Sequence, residues 1–140
     1  MKPQIKLVAT AIWFSILFGV LVIQFVLGGG FTAFGAEMEI RSIPLMLVGL
    51  FPLVVAVVGR ILVIPAAHSD QAFMVRLIIC LALCEAPFFI GLFVMAPDYA
   101  AEKAFALFGS VLGLLILFPR TINRNEQSPT RGMGNNPYQR

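Results

Sequence analysis

The chain has 140 residues, of which 59% are hydrophobic and 12% charged, and its formal net charge is +3. About a quarter of the residues of a soluble domain are charged, so this composition excludes an ordinary soluble domain. It predicts an all-α integral membrane protein, because a transmembrane helix needs about 20 apolar residues and four such helices use most of the chain. The basic residues are then topology signals rather than a nucleic-acid-binding surface.

The first apolar run, about 7–27, follows Lys2 and Lys6. A cleaved signal peptide is the alternative, but Phe34 occupies the minus-three position of a potential site after Ala36, where a small residue is preferred. We therefore expect a retained span. Small residues lie four apart on one face of this helix, and such faces let helix backbones approach closely in lipid. They are Ala11, Ser15 and Gly19.

The second run, about 43–64, carries Arg60 about one turn before its end. A long arginine side chain at such a position normally reaches back to the membrane surface. A short polar turn with His68, Ser69 and Asp70 follows, and we expect Ser69 or Asp70 to cap the next helix. Three consecutive residues on one loop cannot form a catalytic triad, so this turn predicts no hydrolase site.

The third run, about 73–95, contains a carboxylate, Glu85, and a proline two residues later. With Arg76 at the cytoplasmic boundary, Glu85 lies nine residues deeper. That is about 13 Å at 1.5 Å per residue, near the middle of a ~30 Å hydrocarbon core. An ionised carboxylate there costs about 2.5 kcal/mol or more. Pro87 has no N–H and crowds the carbonyl of Leu83, which becomes a free acceptor beside Glu85.

Two interpretations of Glu85 remain open. In the first, the carboxyl group is protonated and exchanges a proton or a cation. In the second, Arg60 turns inward and forms an ion pair with it, because the second and third helices form a hairpin. Glu85, Arg60 and Pro87 are therefore the candidate ion-binding residues. The two cysteines, Cys80 and Cys84, are interpreted as small packing groups, since no metal-ligand spacing, phosphate-binding loop or haem motif accompanies them.

The segment ALCEAPFFIGLF, residues 82–93, resembles the carboxylate-bearing helix of the c subunits, or proteolipids, of rotary ATPases. It is also similar to small bacterial four-helix membrane proteins of unknown function that carry an Ala-Leu-x-Glu-Gly-Pro-like motif. Ala82, Leu83, Glu85 and Pro87 match that motif, and Ala86 replaces its glycine. The resemblance covers one helix and implies an ion-binding role for Glu85. The sequence departs from the c subunits in lacking their closely spaced alternating glycines and in placing the carboxylate on the third helix.

The fourth run, about 100–118, carries Gly109 and Gly113 four apart, which makes a second small-residue face. Each face fits either an oligomer interface or a contact within one chain, and both alternatives remain open. The second and fourth runs end similarly, in GRILVIP and GLLILFP, which allows two parallel hairpin repeats within the four-helix bundle. Residues 121–140 are polar and predict a disordered cytoplasmic tail after the bundle of residues 1–120.

The placement of Lys and Arg predicts the orientation of the spans. Most basic residues fall on the side of the chain termini. The charged residues of the opposite side are Arg41 and Lys103, together with Glu37, Glu39, Asp98 and Glu102. Both termini are therefore expected in the cytoplasm, in a multi-pass protein of a bacterial inner membrane.

These features predict a protein without enzymatic activity, cofactor or metal. The favoured function is a structural or accessory subunit that associates, with itself or with a larger membrane complex, through its small-residue faces. In that interpretation buried Glu85 is a polar anchor. The alternative is a proteolipid-like component that carries a proton or a cation on Glu85. The bilayer lipids are an expected partner, and nucleic acid is not.

Overall fold

The computed structural model describes residues 3–29 and 39–119, which form helices and connecting turns with no strand among them. The helices, in chain order, are α1 (Pro3–Leu27), α2 (Ile43–Val48), α3 (Phe51–Val58), α4 (Asp70–Phe89) and α5 (Ala100–Ile116). One π-helical turn extends α3 over Gly59–Val63, and another extends α4 over Ile90–Val94. The all-α class expected from the continuous apolar runs is confirmed.

Three helical segments are long and apolar enough to cross a membrane, namely Gln4–Leu27, Ile43–Val63 and Asp70–Val94. They agree within a few residues with the first three predicted spans. The fourth segment, α5, has 17 residues, about 25 Å of helix, which is shorter than a typical span. The fourth span, the four-helix bundle with its hairpin repeats, and the cytoplasmic termini stay predictions. The tail over 121–140 and the potential cleavage site at Ala36 lie outside the described residues.

The second apolar segment is interrupted by a turn at Gly49 and Leu50, between α2 and α3. Pro52 lies in the first turn of α3. It has no N–H to donate to the carbonyl of Val48 and its ring crowds that carbonyl, which favours a break or a kink in the helix at this point. Pro44 lies in the first turn of α2, where the missing N–H has no helical partner in any case.

Helix α5 packs against α2, α3 and α4, and two of its glycines set the closest approaches. A Cβ atom added to Gly109 would lie 1.8 Å from the carbonyl oxygen of Gly49. One added to Gly113 would lie 3.0 Å from the carbonyl oxygen of Pro52. The α2–α3 break therefore lies directly against the glycine face of α5. Helix α1 packs on the flank of this group, against α4 and α5.

The core lies where α4 meets the second half of α5. Its fully enclosed large side chains include Phe73, Leu77 and Leu81 of α4 and Leu114 and Leu117 near the end of α5. The N-terminus of α4 is capped by Ser69, whose hydroxyl oxygen accepts a hydrogen bond from the Ala72 N–H at 3.0 Å, as predicted. Many large apolar side chains stay on the outer surface, as expected for a protein surrounded by lipid.

Candidate functional site

Glu85 lies at the edge of the buried face of α4. Its neighbour Cys84 is fully buried at the centre of that face, and Phe88 is buried one turn later, whereas the Glu85 side chain is partly exposed. The expectation of a buried carboxyl group is therefore corrected, since the Glu85 side chain is only partly buried. Because successive helical residues differ by about 100° in direction, a residue that follows the centre of the buried face points to its rim.

No hydrogen bond or ion pair to the Glu85 carboxyl group comes from the residues that the structure describes. Glu85 is thus a carboxyl group in the middle third of a helical segment that is long and apolar enough to cross a membrane, and it is open on one side to the lateral surface. A group in that position can accept a hydrogen bond from a neighbouring molecule, or it can take up a proton. An ion pair within the chain would have disfavoured both the intermolecular hydrogen bond and the proton uptake.

Arg60 does not pair with Glu85 in the structure. It lies in the π-helical turn after α3, and its guanidinium group donates a hydrogen bond to the carbonyl oxygen of Ile116, the last residue of α5. The last carbonyls of a helix lack partners within the helix, and this end of the helix dipole attracts cations. The end of α5 therefore binds the Arg60 guanidinium, and the expected ion pair with Glu85 is not formed.

The carbonyls at two helix ends receive further side chains. The indole N–H of Trp13 donates to the carbonyl oxygen of Leu114 at 2.6 Å, so that two groups from other segments cap the end of α5. The Arg76 guanidinium donates to the carbonyl oxygen of Val63 at 2.8 Å, at the end of the second segment. No sequence motif predicts the Trp13 and Arg76 contacts. Both depend on where other helices end, because only the last carbonyls of a helix lack a partner within it.

Pro87, the third candidate residue, is buried in α4 three residues before the π-helical turn begins. The thiol of Cys84, one turn earlier, points to another helix and donates to the carbonyl oxygen of Pro52 at 3.4 Å. Cys80 and Cys84 are both free and buried, in agreement with a packing role. Within the described segments no group of three or more His, Cys, Asp or Glu side chains could hold a metal ion.

The two small-residue faces have different surroundings. Gly109 and Gly113 face Gly49 and Pro52, so this pair forms a contact within the chain. On α1, Ala11 and Ser15 are exposed, and a Cβ atom added to Gly19 would meet no atom within 4 Å. Between the two alternatives for these faces, α5 therefore uses its glycines internally, and the α1 face remains uncovered.

Glu102 is a buried carboxylate that the sequence interpretation missed. It lies in the first turn of α5 with 0% of its surface exposed, and its Oε1 atom accepts hydrogen bonds from the backbone N–H groups of Arg41 at 2.8 Å and Ser42 at 2.7 Å. Ser42 is the N-cap residue of α2, and its own side chain makes no capping bond. Glu102 therefore supplies the missing cap from another helix, with its charge at the positive end of α2.

The sequence did contain a signal for Glu102, namely an acidic residue next to an apolar run that is interrupted by small alanines. By charge placement alone, Glu102 reads as one of the acidic residues of the outer side. Its second oxygen, Oε2, is buried and has no hydrogen-bond partner among the described residues, and the same holds for the Ser110 hydroxyl. Arg41, by contrast, keeps its side chain at the surface, 3.7 Å from the carboxylate of Asp98.

In comparisons with protein-family models, with curated proteins and with solved structures, no match to this chain was found. The likeness of residues 82–93 to the carboxylate helix of rotary ATPase c subunits therefore rests on those residues themselves.

Proposed function

We propose that this chain is a small non-enzymatic protein of four membrane spans with both termini in the cytoplasm, and that it acts as an accessory subunit. Glu85 is its attachment point for a membrane helix of a partner or of a second copy. The observation that carries this proposal is a partly exposed carboxyl group, within an apolar span, that has no polar partner among the described residues.

Because Glu85 lies deep within an apolar span, a hydrogen-bond donor from another molecule would stabilise its carboxyl group. Arg76, which bonds the end of the second segment, lies nine residues away, or about 13 Å along the helix axis. The exposed Asp98 lies thirteen residues away in the other direction. A carboxyl group between these two boundaries has no water to bond, and an ionised one costs about 2.5 kcal/mol or more. A donor from a neighbouring helix reduces that cost, since interhelical hydrogen bonds in membranes contribute about 0.6 kcal/mol or more.

The uncovered α1 face supports the same function. Ala11, Ser15 and Gly19 present small side chains to the lipid, and small residues in this spacing allow two helices to approach closely. A partner helix that lies against such a face gains backbone contact without displacing large side chains. In this proposal the α1 face and Glu85 are the features of the chain that another membrane protein would recognise.

A second function is favoured by the absence of the Arg60 ion pair. A carboxyl group without an ionic partner is free to exchange a proton or a cation, as the resemblance to proteolipids implies. The alternative is therefore a proton or cation carrier in which Glu85 is the exchanging group.

Substitution of Glu85 by Gln and by Leu separates the two functions. For an accessory subunit, Glu85→Leu should abolish the larger assembly seen by native electrophoresis of gently solubilised membranes. Glu85→Gln, which keeps hydrogen-bonding capacity, should retain much of that assembly. For a carrier, both variants should assemble normally and lose proton flux in liposomes. Asp98→Asn, at the exposed outer surface, is the matched control and should change neither result.

A cross-link tests whether the partner on α1 is a second copy. Ser15→Cys would place an exposed thiol on the uncovered face, while Cys80 and Cys84 stay buried and unreactive. Formation of a disulfide-linked dimer in membranes supports self-association. If Ser15→Cys stays monomeric while the native assembly persists, the partner is a different protein. If Glu85→Leu leaves both the assembly and the flux intact, neither function is correct.

A further inference from the structure

A cavity of about 260 Å³ opens between α1, α4 and α5 at the ends that face the outer side in the proposed orientation. Its apolar walls include Leu27 of α1, Phe88 of α4, Leu92 of the π-helical turn after α4, and Pro97 from the loop before α5. Its polar groups are Gln24 and Lys103. The cavity is therefore amphipathic, with apolar walls and a cation, and it lies where two of the long apolar segments end.

The charge of the cavity is positive. The ammonium group of Lys103 takes part in no hydrogen bond or ion pair with the described part of the chain. Ala100, in the first turn of α5, also lines the cavity, and Tyr99 provides no side-chain cap for the N–H groups of that turn. The positive end of the α5 dipole thus adds to the charge of Lys103.

The acidic groups nearby are turned elsewhere. The carboxylate of Glu102 bonds the backbone of Arg41 and Ser42, on the α2 side of α5. Asp98 is 74% exposed and lies beside the Arg41 guanidinium. Among the residues that the structure describes, no acidic side chain lines the cavity, so Lys103 has no anionic neighbour in this part of the wall.

Gln24 gives the cavity a second polar element. It is only 7% exposed although it lies in an apolar helix, and its amide N–H bonds the carbonyl oxygen of Gly28 at 3.4 Å. The side chain covers Gly28 so closely that an added Cβ atom would lie 2.5 Å from it. The amide is therefore held in the cavity wall rather than free to move to the membrane surface.

We propose that this cavity binds one anionic phospholipid of the outer leaflet. Its phosphate lies against Lys103 and the first turn of α5, and the upper part of one acyl chain lies along Leu27, Phe88 and Leu92. The charge complementarity selects an anion, and the apolar walls select one that carries a hydrocarbon chain. A free phosphate would satisfy only the first of these two features, so the proposal commits to a lipid.

The experiment is native mass spectrometry of the full-length protein in detergent, with added phosphatidylglycerol, phosphatidylcholine or glycerol phosphate. The wild-type protein should retain phosphatidylglycerol preferentially and should not retain glycerol phosphate. Lys103→Gln should weaken the retention of phosphatidylglycerol about fivefold and leave that of phosphatidylcholine unchanged, since one lysine near an anionic lipid contributes about that much. Ala100→Leu, which fills the cavity, should reduce the retention of both lipids.

Arg41→Gln is the matched control, because Arg41 is an outer-side cation that does not line the cavity. Its backbone bond to Glu102 survives the substitution. Equal effects of Arg41→Gln and Lys103→Gln would show that surface charge alone attracts the lipid, and would overturn the proposal. Retention of glycerol phosphate as strong as that of the lipid would also overturn it, since a soluble anion would then be the ligand. Fluorescence of Trp13 confirms that each variant is folded.

Discussion

Several side chains in the described part of the chain form hydrogen bonds with backbone groups at the ends of other helices. Trp13 and Arg60 bond the last turn of α5, Arg76 bonds the end of the second segment, and Glu102 bonds the start of α2. Helix ends leave N–H and C=O groups open, and such groups are costly where water is excluded. These four residues therefore join helices to one another by satisfying backbone groups.

Trp13→Phe tests the contact at the end of α5. The substitution keeps an aromatic ring against Phe118, whose centroid lies 4.9 Å from that of the indole, but it removes the N–H donor. The carbonyl of Leu114 then loses its partner in an enclosed place, so the free energy of unfolding should fall by about 1–3 kcal/mol. Circular dichroism during titration with sodium dodecyl sulfate measures it. Phe18→Leu, on the exposed face of α1, should stay near wild type, and equal losses would show that ring area rather than the N–H matters.

Glu102→Ala and Glu102→Gln test the cap of α2. The alanine variant leaves two backbone N–H groups without their acceptor and should lower the free energy of unfolding by about 1–3 kcal/mol. The glutamine variant keeps an acceptor oxygen and should lose less. Asp98→Asn is the control, because an exposed pair such as Asp98 and Arg41 contributes about 1 kcal/mol at most. A control as destabilised as Glu102→Ala would assign the effect to outer surface charge instead of the cap.

The sequence predicted the role of single residues only where the contact lies within one helix. The position of Glu85 within an apolar run follows directly from the sequence. The Ser69 cap also follows from it, because the capping side chain and the N–H that it accepts from are only three residues apart. The destination of Arg60 does not follow, since it depends on where α5 ends and on how α5 lies beside α3. Glu102 was missed for the same reason: its partners lie sixty residues earlier in the chain.

At the scale of the helices, the apolar runs predicted the boundaries well because lipid demands a minimum length of continuous apolar helix. The break at Gly49 and Leu50 was not predicted, although Pro52 carries the signal for it. A proline within an apolar run either kinks a helix or divides it, and packing decides which. Here the glycine face of α5 lies against the break, so the division allows close contact of the two segments.

Gly109→Ala and Gly19→Ala form a matched pair that tests this contact. At Gly109 a new methyl group would lie 1.8 Å from the backbone oxygen of Gly49, so α5 must move away and the free energy of unfolding should fall by about 1–3 kcal/mol. At Gly19 the methyl group meets nothing within 4 Å, and alanine is the better helix former, so the monomer should be unchanged or gain up to about 1 kcal/mol. Titration with sodium dodecyl sulfate compares the two.

The Gly pair also separates packing within the chain from association between chains. If Gly19→Ala leaves the monomer stable but weakens the native assembly, the α1 face is the interface, as the proposed function requires. A Gly109→Ala protein as stable as wild type would mean that α5 does not pack on the α2–α3 break.

For the whole molecule, composition and the apolar runs predicted an all-α chain with segments long enough to cross a membrane, and three of the four predicted segments meet that length and apolarity. The arrangement of the segments could not be predicted in that way. Helix α5, the shortest of the four predicted spans, contacts α2, α3 and α4, whereas α1, which is longer, lies on the flank. From the sequence alone, Gly109 and Gly113, which bring α5 close to its neighbours, are equally consistent with an oligomer interface.

Because α5 is short for a transmembrane helix, whether it crosses the membrane is the main question about the topology of the whole molecule. Its 17 residues give about 25 Å of helix, and buried Leu117 and Pro119 continue the segment. A slightly thinned bilayer or interfacial side chains accommodate such a short span at modest cost. We therefore expect a reporter fused after Arg140 to lie on the cytoplasmic side, together with the turn at Ser69.

Thiol labelling of intact cells with a membrane-impermeant maleimide tests this topology. Asp98→Cys should react from outside, and Ser69→Cys should react only after permeabilisation. The native thiols give little background, because Cys80 is 5% and Cys84 0% exposed. A C-terminal reporter on the same side as Asp98 would mean that α5 packs into the protein without crossing the bilayer. The chain would then have three spans.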